Sequence, residues 1–481
     1  MAAIILEKFR THNAREFIAD FTSSSKYIFI GRSHSWPDDN SPPPPANSEA
    51  EEIRTFEDMI ALKRVDGASS VSHGLVRYNW TVGTVYDEYR DDYSSSNLTP
   101  SGASNFFDGR GYVVTSDYKV YKCLKTPFSS GSPTGVTATN EPTTTSTTEP
   151  QTTGDGYMWK FMYQISASDV IKFVTNDFIP VKTLGAKTSV AGSLGAFGQS
   201  GTTDGSAQYN VEAAAVDGGI YRYIITSAGS GYNNGDVDIA VEGDGTGAIA
   251  TLTFSGNALT NVVVKGTNFG SGYKRASFPT IDANISGISQ GSGATIKAVI
   301  SPINGHGANP IEELGGNFVI VNSRLEFSDG SGDFPTDNDF RQIGLLKNPV
   351  KGGAIAGVST MTATNKITLD DASGIAVDNI ITSDTTNNAS TKRARVISKS
   401  GNVLKTQTIA NGGGEYVDFA ATDDVFINAS GSKITDVASG GVDSTHPEMT
   451  RFTGQILYVE NRGPVSRAAD QIEDIKLIIE M

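Results

Sequence analysis

Ile220-Tyr221-Arg222-Tyr223-Ile224-Ile225 runs into Gly229-Ser230-Gly231-Tyr232, and Asn261-Val262-Val263-Val264 runs into Gly270-Ser271-Gly272-Tyr273. The two glycine motifs stand 41 residues apart. Each copy closes on a second glycine pair followed by alanine, Gly245-Thr246-Gly247-Ala248 and Gly291-Ser292-Gly293-Ala294, 46 residues apart. The second copy therefore carries a short insertion. A period of this length marks supersecondary units stacked on a shared core. Glycine supplies turn conformations that other residues resist, and each tyrosine is expected to pack back over its own turn. The repeat lies within 186–310, read as one inserted β-module.

Working outward, 352–445 has a similar texture of Gly, Ala, Thr, Asn and Asp, with short strands such as Lys366-Ile367-Thr368-Leu369 and Ala394-Arg395-Val396-Ile397. It reads as a second inserted β-module without the repeat motif. The flanking segments 1–185, 311–351 and 446–481 are denser. Tyr27-Ile28-Phe29-Ile30, Lys119-Val120-Tyr121, Met158 to Ile165 and Gly454 to Arg462 are β-branched or aromatic runs bounded by turn residues. Helix signals are few. Asn13 with Glu16 has the form of a capping box and predicts a helix near 13–21. Ser48 with Glu51 repeats it and predicts one near 49–63, and Ser166 opens a third through Val174. Residues 136–153 collapse to Thr, Glu and Pro, too polar to offset the entropy of ordering, and read as an exposed loop or flexible strap. The fold class is mainly β: a multi-domain, β-sandwich-like core with a few short helices, interrupted by two Gly-rich β-modules.

A net charge of −15 supplies no basic face, so nucleic acid is not an expected partner. The single cysteine, Cys123, allows no intrachain disulfide and reads as a buried thiol. No window approaches 18 apolar residues and the N-terminal apolar run is short, so no membrane span or signal peptide is expected, and synthesis in a reducing cytoplasm is. No phosphate-binding glycine loop, nucleophile elbow or zinc helix is present. His12, His34, His73, His306 and His446 are scattered singly, without cysteine partners at metal spacing. Asp329-Gly330-Ser331-Gly332-Asp333 with Asp337 and Asp339 offers oxygen ligands, but the spacing fits an acidic turn better than a calcium loop. The expectation is no enzyme, no cofactor and no metal.

Six short blocks, in order, carry a resemblance. Lys8-Phe9-Arg10-Thr11 and Tyr27 to Ser33 closing on Trp36 come first. Val120 to Leu124, Gly154-Asp155-Gly156-Tyr157-Met158-Trp159, and Phe340-Arg341-Gln342-Ile343 with Asn348-Pro349 follow. The last is Gly454 to Arg462 with Pro464 and Asp470-Gln471. Together they resemble the baseplate wedge subunit formed by the eighth gene product of T-even-type contractile-tailed phages, with 186–310 and 352–445 as insertions. The resemblance implies a homodimer that packs against other wedge subunits of a sixfold tail baseplate, assembled in the host bacterial cytoplasm and carried in the virion. It brings no catalytic residues. Arg32, Arg341 and Arg462, polar members of apolar blocks, are the candidates for pairing with acids at a subunit boundary. The competing expectation is a virion glycan-binding or polysaccharide-depolymerase protein that stacks sugars on the tyrosines of the Gly-Ser-Gly-Tyr modules.

Overall fold

The computed structural model describes residues 4–67, 69–128, 134–186, 206–325, 334–336, 338–467 and 472–481. The chain is mainly β, with several sheets, a small closed barrel and five helices among the described residues. It divides into two compact units, one made of 1–17, 72–320 and 478–481, the other of 18–71 and 321–477. The chain thus passes between them four times.

At the centre of the first unit is an antiparallel sheet in the order Tyr112–Val114, Lys119–Lys125, Met158–Gln164, Gln151–Thr152. Tyr121, Cys123, Trp159 and Phe161 face one apolar cluster with Tyr86 and Tyr157, while Val120, Met162 and Tyr163 face another with Leu75, Ile179 and Leu314. Successive residues of a strand point to opposite faces. Covering both faces is why these strands read as near-continuous apolar runs. The strap over 136–153 is not loose. Tyr157 Oη donates to Val136 O at 2.6 Å, Tyr121 Oη to Thr144 O at 2.9 Å, and Lys160 Nζ to Thr147 O and Thr148 O at 2.8 and 3.0 Å. Core side chains reach out to its carbonyls, and Gln151 within the strap accepts from Thr143 N and Thr144 N at 3.0 Å each.

The repeat occupies the same unit. Ile220–Ser230 pairs with Ser292–Ile300, and Thr246–Ser255 pairs with Ala258–Ser271 and Gly235–Ala240. The copies are interleaved. The Gly-Ser-Gly-Tyr turn of the first copy meets the closing glycines of the second, with Ser230 opposite Ser292, and that of the second meets the closing glycines of the first, with Thr246 opposite Ser271. Tyr232 accordingly lies against Gly291 of the other copy as well as Gly229 of its own turn, and Tyr273 lies against Gly245 of the other copy. Both rings are buried, and their hydroxyls donate to Ile281 O at 2.7 Å and Val241 O at 3.1 Å.

Gly229 and Gly270 occupy equivalent places, at φ +62° and +66°, where a β-carbon would lie 2.4 Å from Ala294 N and 2.6 Å from Ala248 N. Gly256 has φ +61° with open space around it. Gly256→Ala should therefore cost only the left-handed strain of about 1 kcal/mol, whereas Gly229→Ala and Gly270→Ala should each cost upwards of about 2 kcal/mol because backbone must also move. Thermal melts of the three variants check the ranking, and equal losses would refute the interleaved packing.

In the second unit, a five-stranded sheet has the order Thr360–Thr362, Met59–Arg64, Lys26–Gly31, Asp339–Lys347, Gln455–Ser466. Residues 365–442 form a closed six-stranded barrel around Ile367, Ile381, Val396, Leu404, Val425 and Val437. Two helices depart from their expected bounds. The first runs Glu7–Ser23, so Asn13 lies inside it and caps nothing. The second stops at Asp58, and Met59 to Arg64 turns into a strand paired with Lys26–Gly31. The apolar spacing through Met59 and Ile60 served the strand, while Ile53 is 47 % exposed. Ser166 caps Ala167–Phe173 as expected, accepting from Asp169 N at 3.1 Å.

Candidate functional site

The three arginines singled out by sequence converge, within the second unit, on the turn that follows the strand Lys26–Gly31. Arg32 sits at φ +54°, and its amide donates to Asp58 O at 2.8 Å. Its guanidinium stacks 3.6 Å from the centre of the Trp36 ring, and Nη1 donates to Asp58 Oδ2 at 3.2 Å. Trp36 N donates to Asp39 Oδ1 at 2.7 Å, and the indole Nε1 donates to Arg462 O at 3.0 Å. Arg341 grips Asp39 in a two-pronged pair, Nε to Oδ1 at 3.0 Å and Nη2 to Oδ2 at 3.0 Å. It also donates to Asp339 Oδ2 at 3.1 Å and, through Nη1, to Ser33 O. Asn461 Nδ2 ties in Pro43 O at 2.9 Å. A proline-rich turn with little apolar surface of its own is thus fixed by the planar, multi-donor geometry of arginine.

The three arginines differ in what remains free. Arg341 is buried and committed within the chain. Arg32 is divided between Trp36 and Asp58. Arg462 contributes its carbonyl, and its guanidinium is the one of the three with no hydrogen bond or ion pair among the described residues. Arg341→Met should remove the clamp on Asp39 and the Ser33 carbonyl, costing about 2–3 kcal/mol. Hydrogen exchange at Trp36 N should rise with it; protection unchanged there would contradict this assignment.

His34 and Asp58 belong to the same cluster, with Nδ1 and Oδ1 3.9 Å apart. Burial pushes Asp58 up to about 6 against the pull of Arg32 and Arg395. Burial, then Arg395, Arg32 and Arg341, push His34 down to about 3. Both groups are enclosed by guanidiniums, and the arrangement holds a turn in place; it presents no activated nucleophile.

The first unit holds a second polar cluster that sequence reasoning missed. Lys122 and Lys160 lie directly opposite each other on paired strands, both buried. Like charges so placed repel. Glu313, on the short helix Pro310–Leu314, answers Lys122 with Oε1 at 2.8 Å from Nζ. The same oxygen lies 2.6 Å from His306 Nδ1, and Oε2 accepts from Gly307 N at 2.6 Å. Lys122 also sits 4.1 Å from the Tyr89 ring centre and 4.6 Å from that of Phe106. Burial alone would raise the Glu313 carboxyl, but Lys122 and His306 outweigh it and hold it well below the ordinary range. Burial pushes His306 down to about 4, so the neutral ring donates from Nδ1. Lysines inside two otherwise apolar strands were the available signal, since a buried ammonium demands a counter-charge.

Elsewhere the expected residues are dispersed. His73 is buried with Nδ1 2.8 Å from Gly316 O. His12 is exposed, and His446 lies 3.3 Å from Asp443. Cys123 is fully buried, its thiol pushed far up by burial. Residues 329–333 and Asp337 of the acidic turn lie outside the described residues, and Asp339 is taken by Arg341 and Ser466. Among the described residues no group of three or more His, Cys, Asp or Glu is placed to hold a metal ion, and no helix is long and apolar enough to cross a membrane. Compared with protein-family models and with curated proteins, the chain matches none.

Proposed function

We propose that the chain is a structural subunit of a contractile phage tail baseplate wedge, a homodimer that holds neighbouring wedge subunits while the baseplate rearranges. The observation that carries this reading is where the resembling blocks lie. Tyr27 to Gly31, Phe340 to Ile343 and Gln455 to Arg462 are each more than a hundred residues from the next in sequence, yet they form three adjacent strands, with Ile30 opposite Ile343 and Ile343 opposite Glu460. The turn bearing Arg32 and Trp36 closes over them. In the first unit, Val120 to Leu124 and Met158-Trp159 likewise pair, with Cys123 opposite Trp159. Blocks that belong to one ancestral scaffold are expected to meet in space when insertions separate them in the chain, and insertions are tolerated where they fold around cores of their own. Both 220–300 and 365–442 have such cores. The glycan reading rested on exposed rings at Tyr232 and Tyr273, and both are buried with their hydroxyls occupied.

Immuno-electron microscopy of whole phage, with an antibody against residues 206–310, tests the reading. Label at the baseplate supports it. Label on fibres or spikes would refute it and restore host recognition as the function.

A further inference from the structure

The apolar core of the repeat is drawn from residues 220–300 alone, with Tyr223, Tyr232, Leu252, Phe254, Leu259 and Tyr273 at its centre. What joins this module to the rest of its unit is charge, beside an edge-on contact of the buried Tyr221 ring with His306 at 5.4 Å. Arg222 Nε meets Glu88 Oε2 at 3.2 Å, and Lys297 Nζ meets Asp91 Oδ1 at 2.8 Å and Asp92 Oδ2 at 2.7 Å. The module's two-stranded ribbon supplies the cations, and the turn 88–92 supplies the anions. Asp92 is additionally steadied by Arg90, whose Nε and Nη2 donate to its two oxygens at 2.8 Å each.

The chain enters and leaves the module side by side. Ser301 N donates to Gly219 O at 2.9 Å and Asn304 N to Asp217 Oδ1 at 2.7 Å, while a β-carbon on Gly305 would lie 2.4 Å from Val216 O. Just beyond the exit, His306 and Gly307 are anchored by buried Glu313. The root is therefore pinned deep in the unit, Arg222 meets a buried Glu88, and Lys297 holds the ribbon nearer the surface.

We propose that residues 220–300 form a rigid arm hinged at 215–219 and 301–305 and latched by the ionic seam of Arg222 and Lys297 with Glu88, Asp91 and Asp92, so that the arm undocks as a body when the seam is screened or reversed. Lys297 and its two aspartates are partly exposed, and such pairs are individually weak and are screened within about 3 Å at 1 M salt. Arg222–Glu88 is largely buried and answers to charge reversal more than to salt. A folded arm with its own core loses little of its packing when the latch opens. The inference does not depend on what the chain assembles with.

Distances between spin labels at Ser255→Cys on the arm and Ser95→Cys on the seam's far side, measured by double electron–electron resonance, test it; native Cys123 is too buried to label. At 0.1 M NaCl a single narrow distance is expected. In 1 M NaCl, and in Lys297→Glu at low salt, a second, longer distance should grow at least tenfold in population. Adding Asp91→Lys to Lys297→Glu should restore the single distance. Amide protection of strands 246–255 and 258–271 should stay intact throughout. An unchanged distance in both conditions would overturn the latch, and loss of protection along with the new distance would show unfolding of the module in place of undocking.

Discussion

Replacing Glu313 by leucine should destabilise the first unit by about 3–5 kcal/mol, because it strands a buried ammonium and an imidazole donor without their acceptor. Lys122 would face Lys160 across the strand pair with no carboxylate between them, and Gly307 N would lose its partner. Differential scanning calorimetry reads this as a drop in the melting transition of that unit. A second variant separates electrostatics from damage to packing. Lys122→Met combined with Glu313→Leu removes both charges and keeps comparable volume, and should recover the larger part of the loss, since apolar replacement of a buried pair is often close to neutral. If the single and double variants melt alike, the carboxylate is not what balances Lys122.

The second large effect is on acid stability. His73 and His306 are both held near 4 by burial, against about 6.5 in an unfolded chain. Their folded-state pKa values are depressed, so the unfolded chain binds protons first as pH falls. Stability is therefore complete above about pH 6.5 and is lost steadily down to about pH 4, by roughly 3 kcal/mol for each imidazole. Below that range both states are protonated and the loss stops. His34, held lower still, adds to the loss and carries it further down, and Glu313, depressed in its turn, extends the decline, while the raised carboxyls of Asp58, Glu7 and Glu212 oppose it. Melting temperatures at pH 7.0, 5.5 and 4.5 should fall stepwise, and the fall should shrink in His73→Gln and in His306→Gln. A melting temperature that stays level from pH 7 to 4.5 would show that neither ring is held neutral by its surroundings.

Particular residues show why parts of this molecule were legible in the sequence. The mainly β character followed from local composition, because glycine turns and β-branched runs act over a few residues. The repeat was visible for the same reason. Its interleaving was not, since which glycine pair meets which tyrosine depends on strand pairing across the module, with Ser230 opposite Ser292. The strap at 136–153 read as an exposed loop or flexible strap because its polar composition shows nothing of the hydrogen bonds that Tyr121, Tyr157 and Lys160 of the core make to its carbonyls. The helix expected through 63 ended at Asp58 because pairing with Lys26–Gly31 took Met59 onward for the sheet. Arg32, Arg341 and Arg462 stood out as polar residues in apolar blocks, and the structure brings them to one turn. Glu313 and His306 carried no local mark at all; only Lys122 and Lys160, misplaced in apolar strands, hinted that an acid had to arrive from a distance.

Quantitative mass spectrometry of gradient-purified virions tests the central claim most directly. A wedge subunit of a sixfold baseplate should be present at a copy number that is a multiple of six, and should remain with baseplates after fibres are removed. Absence from the particle, or three copies that leave with a spike or fibre, would contradict it.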